Sequence, residues 1–368
     1  MSASKLRRQW VPVKGGSADL RIGYGATDEA SAILSQATGK PKRCCIVLYE
    51  DTDADLAEEL RRQVVDAGYA ATFVTIDRSA RKVRTFEVAQ LIMDAFLEAG
   101  ITCDDLCCVL GDADLISVAS FVADFWCAGT SVCAFPTDEI ALLEGALAPR
   151  ALDYKGARGV IQVAPTAKRV IVDTAFAQSP IESETSAYLR SLMVAAAMCA
   201  SEREFSALWD RSDDLMAGDE KAYMTQLTAC AKGRGQTMGS TAAAVRQAID
   251  YGRLFADVVG ALAPEEVAPS VLMAEGLRFS ARISVAMEKL SIDDMLAQDE
   301  LLEALGIGVA TCTIEPEALV AGLKEERFRQ SNRFMLLIPL AIGRVRLTAV
   351  EDDLLLEHAR AWCAAHRP

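Results

Sequence analysis

FEVAQLIMDAFLEAGITCDDLCCVLGD, residues 86–112, contains the unit from which the first half of the chain is built. Val88, Leu91, Ile92, Ala95 and Phe96 stand at i, i+3, i+4, i+7 and i+8, one apolar face of a helix. Gly100 follows as a residue able to close that helix in the left-handed region. Residues 106–110 are then a continuous apolar run, as expected of a strand buried on both faces. The same alternation continues on either side. Residues 44–49 (CCIVLY), 71–76, 131–135 and 169–172 read as strands, and 56–68 and 115–126 as helices. A short lead-in with a strand at 20–23 and a helical stretch precedes them. Such alternation predicts a parallel, Rossmann-like sheet covered on both faces.

From about residue 180 the pattern becomes almost entirely helical. Helices are expected at 186–200, 205–209, 221–231, 242–262 and 268–290, with shorter ones at 301–305, 317–325 and 352–365. One interruption, 333–338 with 345–348, reads as a hairpin around 341–343. The expected organisation is an α/β domain over 1–178 and a mainly α-helical domain over 179–368, the boundary lying near 177–181.

Composition narrows the function. The 368 residues carry 38 Lys+Arg against 52 Asp+Glu, a formal charge of −14. No nucleic-acid partner is expected, because counterion-release binding needs a basic surface. With 51% hydrophobic and 24% charged residues the chain reads as globular. Apolar runs such as 194–200 are far shorter than the ~20 residues that span a bilayer, so no membrane partner is expected. The opening MSASKLRRQW lacks an apolar signal core, which points to the cytoplasm.

The 11 cysteines lie at 44, 45, 103, 107, 108, 127, 133, 199, 230, 312 and 363. An odd number without a CxxC pair, several of them in apolar runs, indicates reduced core thiols. The only histidines, His358 and His366, fall in the last eleven residues, so a histidine-based triad or zinc site would have to come from that tail. Walker-type loops, EF-hands and hydrolase elbows are absent.

The order of segments resembles that of the 3-dehydroquinate synthase family, within the sugar phosphate cyclase superfamily. Residues 86–112 resemble its helix and strand before a glycine-rich turn. FPTDEIALLEG (135–145) resembles its PTTLLAQVD segment, and AKRVIVDTAF (167–176) its crossing strand. LKEERFRQSNRFMLLIPLAIGRVRL (323–347) resembles its lysine-bearing segment and following hairpin. The resemblance implies a dehydroquinate synthase-like fold. It also implies a reaction that uses NAD and a divalent metal, usually zinc, to oxidise, dephosphorylate and cyclise a seven-carbon sugar phosphate.

Position by position, the resemblance implies departures. The phosphate turn GGGxxGD is matched by Gly111, Asp112, Ala113, Asp114, Leu115, Ile116 and Ser117, so one glycine and two carboxylates stand there. Gly111 and Thr137 are the candidate cofactor contacts. The metal-ligand positions fall near Ser191 and on Arg253 and Met273, which predicts no metal ligands. The cations fare better. Lys232 and Arg246 keep the family's fourteen-residue spacing of a substrate lysine and arginine, and Arg150 stands at a lysine position six residues after Glu144. With Arg253, Lys324 and Arg327 they are the candidate site for a small anion such as a sugar acid or sugar phosphate. They could equally be surface residues, with Arg253 a partner for Asp250 or Asp257.

The first expectation is therefore a divergent homologue of the aromatic-biosynthesis type, with the usual zinc and NAD sites lost, binding a small anion or a partner protein. NAD and a divalent metal are expected only if the family activity survives, and no catalytic residue is assigned. The alternative is an active cyclase or lyase with relocated ligands, Asp250, Asp257 and Glu275 being the carboxylates at hand. A relative of the iron-type alcohol or glycerol-phosphate dehydrogenases is a third reading. A homodimer is expected from the family alone.

Overall fold

The computed structural model describes residues 6–14, 16–40, 42–163 and 168–368. The chain divides into two compact units, Met1–Ser179 and Pro180–Pro368.

The first unit is built on a seven-stranded sheet. Its strands are β1 (Arg7–Val13), β2 (Gly16–Gly23), β3 (Arg43–Tyr49), β4 (Ala70–Ile76), β5 (Leu106–Gly111), β6 (Ser131–Pro136) and, after a separate hairpin of β7 (Arg150–Tyr154) and β8 (Ala157–Val163), β9 (Arg169–Asp173). The order β1-β2-β9-β6-β5-β3-β4 is parallel throughout except for the antiparallel β1–β2 edge. The helices are α1 (Ala30–Leu34), α2 (Ala54–Asp66), α3 (Phe86–Glu98), α4 (Ala113–Phe125) and α5 (Thr174–Ala177). Thr85 caps α3, and Gly100 at φ 65 ends its run, as the spacing predicts. Cys44, Cys108 and Cys133 lie fully inside the core with Ile46, Leu60 and Val64, so these thiols act as small apolar side chains.

The second unit holds α6 (Glu184–Ala200), α7 (Glu202–Trp209), α8 (Ser212–Met216), α9 (Glu220–Gly239), α10 (Ala243–Arg246), α11 (Arg253–Leu262), α12 (Pro269–Ala286), α13 (Ile292–Ala304), α14 (Pro316–Phe328) and α15 (Asp352–Ala365), with one hairpin of β10 (Met335–Ala341) and β11 (Arg344–Ala349). This is the expected fold class, an α/β part followed by a mainly helical one. Two local expectations are corrected, and one element was not foreseen. The single helix expected over 242–262 is broken: Gly252 at φ 87 turns the chain between α10 and α11. The helix expected at 301–305 is the end of the longer α13, and the β7–β8 hairpin has no counterpart in the sequence reading.

The break in the second unit is fixed by packing. α12 runs so close to the turn that a Cβ on Gly276 would overlap the Gly252 carbonyl. Gly252 itself would place a Cβ 2.8 Å from Leu277 Cδ2. This contact sets where Asp250 and Arg253, on either side of Gly252, are held.

Candidate functional site

In the first unit the strand order reverses between β3 and β5, and open α/β sheets receive ligands at the C-terminal ends of such a pair. Gly111 ends β5 and must be glycine for close packing, since a Cβ would lie 2.7 Å from Leu115 Cδ2. The Thr137 amide donates to the Gly111 carbonyl at 3.1 Å, so the two candidate cofactor contacts are neighbours. Asp112 then caps α4. Its Oδ1 accepts the amides of Asp114 at 3.1 Å and Leu115 at 3.0 Å, and the Tyr49 hydroxyl at 2.7 Å. Burial, reinforced by Asp112, pushes the Tyr49 phenol above its ordinary range and keeps it a donor. Arg78 lies over the Tyr49 ring at 4.7 Å and pairs with Asp51 at 2.7 Å. Two amides that an incoming phosphate could use are therefore already held by the chain's own carboxylate.

Arg150 also belongs to this unit, and its assignment to the anion group is corrected. It is 1% exposed, its Nη1 donates to the Ser120 carbonyl at 2.8 Å and stands 3.3 Å from Asp124. The guanidinium ties β7 to α4 internally.

The remaining candidate cations lie in the second unit. Lys232 is exposed on α9. Arg246 Nη1 donates to the carbonyls of Ser240 at 2.8 Å and Thr241 at 3.0 Å, closing the C-terminal end of α9. Lys324 pairs with Asp352 at 2.8 Å and joins α14 to α15.

Arg253 and Arg327 have a different setting, centred on Asp250. Loss of hydration pushes the Asp250 carboxyl up to about 6, with Arg234 and Arg327 opposing and Asp257 adding to the rise. Burial lowers Arg327 while Asp250 raises it, and the Arg327 Nε is a buried donor with no hydrogen-bond partner. Arg253 stands over the Tyr188 ring at 5.9 Å. The Tyr188 phenol is raised by burial, with Arg234 opposing and Asp257 and Asp250 adding. The cluster thus comprises Arg234, Arg253 and Arg327 with Asp250, Asp257 and Tyr188.

Arg234 and Tyr188 escaped the sequence reading. Arg234 is 5% exposed in the middle of α9 and lines a small pocket with Ala195, Cys199, Thr237 and Ile249. Its signal is slight: an arginine between two glycines, in the run Lys232-Gly233-Arg234-Gly235. The Cys199 thiol in that pocket is raised by burial to about 12 and donates to the Ala248 carbonyl at 3.3 Å, so it is no nucleophile.

The positions matched to metal ligands are also placed. Ser191 is fully buried and its hydroxyl donates to the Ser270 carbonyl at 3.0 Å. Met273 is 1% exposed within α12. Among the described residues, no three His, Cys, Asp or Glu side chains form a group able to hold a metal ion. Glu275 is saturated: it accepts from Trp362 Nε1 at 2.7 Å, Arg278 Nη1 at 3.1 Å and the Ala310 amide at 3.3 Å, with His366 Nε2 at 3.1 Å. Burial would raise its carboxyl, but the hydrogen bonds from His366 and Trp362 hold it below its ordinary range. Glu275 is thus the anchor of the C-terminal helix.

No known family profile matches the chain. It is 22% identical over 315 residues to 3-dehydroquinate synthase of Corynebacterium jeikeium, covering 84% of each chain. The same identity holds over 330 residues with 3-dehydroquinate synthase of Synechococcus, covering 88% of each. Among solved structures, a 2-deoxy-scyllo-inosose synthase complexed with carbaglucose-6-phosphate, NAD+ and Co2+ superimposes with a TM-score of 0.79 at 13% identity, over 96% of this chain and 99% of that one. 2-epi-5-epi-valiolone synthase of Streptomyces hygroscopicus, with NAD+ and Zn2+ bound, gives 0.73 at 14% identity over 97% and 99%. A probable glycerol dehydrogenase of Sinorhizobium meliloti shares the fold more distantly, at 0.61 with 14% identity over 98% and 99%. Sequence relatives and fold agree: the chain is similar over most of its length to 3-dehydroquinate synthases and shares the fold of these cyclases.

Proposed function

We propose that this chain is a dehydroquinate synthase-like protein that lacks the zinc and NAD sites of its relatives and binds a small anion, a sugar acid or sugar phosphate, in the helical unit. The observation that carries this reading is the buried, unpartnered Nε of Arg327 beside Asp250 and Arg234. A buried donor without an acceptor costs about 1–3 kcal/mol, more for a charged group, and an oxyanion would supply the missing acceptor.

The metal and the dinucleotide do not fit the residues present. Zinc takes imidazole, thiolate or carboxylate, whereas the matched positions offer a guanidinium, a thioether and a hydroxyl already donating to Ser270. A pyrophosphate at α4 would displace the Asp112 carboxylate from the amides of Asp114 and Leu115. No reaction step is therefore assigned to either group.

One observation favours a second reading. Asp250 and Asp257 each raise the pKa of Tyr188, placing two carboxylates in one neighbourhood. An oxygen-only site of that kind would suit magnesium or manganese, in an active enzyme with relocated ligands. The experiment that separates the readings is phosphate release from the seven-carbon sugar phosphate, with NAD and zinc, cobalt, magnesium or manganese supplied in turn. The first reading predicts no release above a blank without protein. Turnover with any of these ions would replace it by the second.

A further inference from the structure

Most cysteines are buried inside the two units. Burial pushes the Cys45 thiol up to about 12 and the Cys230 thiol up to about 11, which closes thiolate chemistry to them. Among the described residues two cysteines are exposed, Cys103 and Cys127, and both belong to the first unit.

Each of these two sits at the same place in a tight turn. The Asp105 amide donates to the Thr102 carbonyl at 3.2 Å, which makes Cys103 the second residue of a turn between α3 and β5. The Gly129 amide donates to the Trp126 carbonyl at 2.9 Å, which makes Cys127 the second residue of a turn between α4 and β6. The turns are neighbours. The Thr130 hydroxyl stands 3.2 Å from the Thr102 carbonyl and 3.4 Å from the Trp126 carbonyl, so one oxygen contacts the carbonyl immediately before each cysteine. Trp126 Nε1 adds a hydrogen bond to the Ile101 carbonyl at 2.7 Å. Asp105 pins the first turn by accepting the Thr102 amide and hydroxyl, both at 2.8 Å. The second turn is strained: Cys127 at φ 51 and Ala128 at φ 63 are left-handed residues with a β-carbon, where such turns ordinarily take Asn or Gly. Strain of this kind persists only where the surrounding contacts enforce it.

From this juxtaposition we propose that Cys103 and Cys127 are a reversible redox pair, oxidised by small-molecule disulfides, whose closure tethers the end of α4 to the turn before β5. The Cys103 thiolate attacks one sulfur of the small disulfide, whose S–S bond breaks and releases one thiol. The Cys127 thiolate then attacks the Cys103 sulfur, forms the internal S–S bond and releases the second thiol. Two cysteine thiols are oxidised by two electrons and the small disulfide is reduced to two thiols, which take up the two protons. A disulfide closes only with its Cα atoms within ~7 Å of each other, a demand that the shared Thr130 hydroxyl serves by keeping the two turns together. Exposed or strained disulfides are the readily reduced ones, so the bridge opens again when thiols are in excess.

The test is peptide mass mapping of the full, folded chain after dilute treatment with excess oxidised glutathione, acid quenching and alkylation of the remaining thiols in denaturant. The expected product is a chain without glutathione, in which one bridged peptide pair joins Cys103 to Cys127 and dithiothreitol restores both thiols. Cys127→Ser should stop at the first step and keep one glutathione on Cys103, and Cys103→Ser should keep one on Cys127. In the bridged chain, amide exchange over residues 126–130 should slow roughly tenfold relative to the reduced chain. A native chain that carries glutathione separately on both cysteines overturns the proposal, since the thiols would then be out of reach of each other. So does a chain that does not react, a bridge to another cysteine or to a second chain, or a bridged chain whose exchange over 126–130 is unchanged.

Discussion

The mouth of the parallel sheet and the Asp250 cluster of the helical unit arrange their charged groups differently. At the sheet, the Asp112 carboxylate occupies the first amides of α4, Tyr49 donates to the same oxygen, and Arg78 pairs with Asp51. These groups satisfy one another, although the nearby Arg84 Nε, 3.6 Å from Asp114, is itself a buried donor without a hydrogen-bond partner. In the helical unit Arg234 and Arg327 act on the Asp250 carboxyl, pushed up to about 6 by burial, and the buried Arg327 Nε is left without an acceptor. At the sheet the chain's own carboxylate occupies amides that such a turn otherwise offers to a phosphate. One aspartate at a helix N-terminus can replace the phosphate for which such a turn is used.

The largest effect is expected at Gly276. A Cβ there meets the Gly252 carbonyl, so Gly276→Ala must move α12 or the turn carrying Asp250 and Arg253. A loss of about 3 kcal/mol in urea unfolding is expected, with anion binding lost alongside. Unchanged stability would mean that the tight crossing does not hold the cluster. Next in size is Arg327→Met, which keeps the length of the side chain and removes the charge. It should weaken binding of inorganic phosphate, followed by calorimetry, about 10- to 100-fold, while Lys324→Met changes it little.

A third prediction concerns pH. Because the Asp250 pKa is raised to about 6 in the folded chain, protonation on going below that pH removes a negative charge beside Arg234 and Arg327. Affinity for sulfate, whose own charge is constant over this range, should rise as pH falls through 6, by roughly tenfold. Asp250→Asn should show the tighter binding at every pH and no titration. The same raised pKa works against the fold at neutral pH. The native chain should gain stability as pH falls from about 6 towards the ordinary 3.8, and Asp250→Asn should flatten that gain. The smallest effect is expected at the sheet. Asp112→Ala removes a helix cap and should cost about 1 kcal/mol. It should also free the amides of Asp114 and Leu115, adding a second, weak phosphate site without altering the first.

Much of this was legible in the sequence. The strands at 43–49, 106–111 and 131–136 are nearly continuous apolar runs because both of their faces are buried, whereas 70–76, an edge strand with most residues exposed, is legible from its β-branched and aromatic residues. The broken helix was less legible. Residues 242–262 have helical periodicity throughout, and only the tertiary contact with Gly276 shows that Gly252 is a turn. The same limit applies to the site. Arg253 and Arg327 were found because a motif carried them, whereas Arg234 sits in a helix whose local pattern does not reveal which face is buried. Arg150 misled for the converse reason. Its place in a motif said nothing of the Ser120 carbonyl and Asp124 that hold it.

The helical unit is proposed to bind an anion without metal or dinucleotide. Calorimetric titration of the chelator-treated chain with the seven-carbon sugar phosphate, repeated with zinc and NAD present, tests it most directly. One site with the same Kd is expected in both titrations, lost in Arg327→Met, with no phosphate released. Binding that appears only with zinc and NAD, or release of phosphate in their presence, would contradict it.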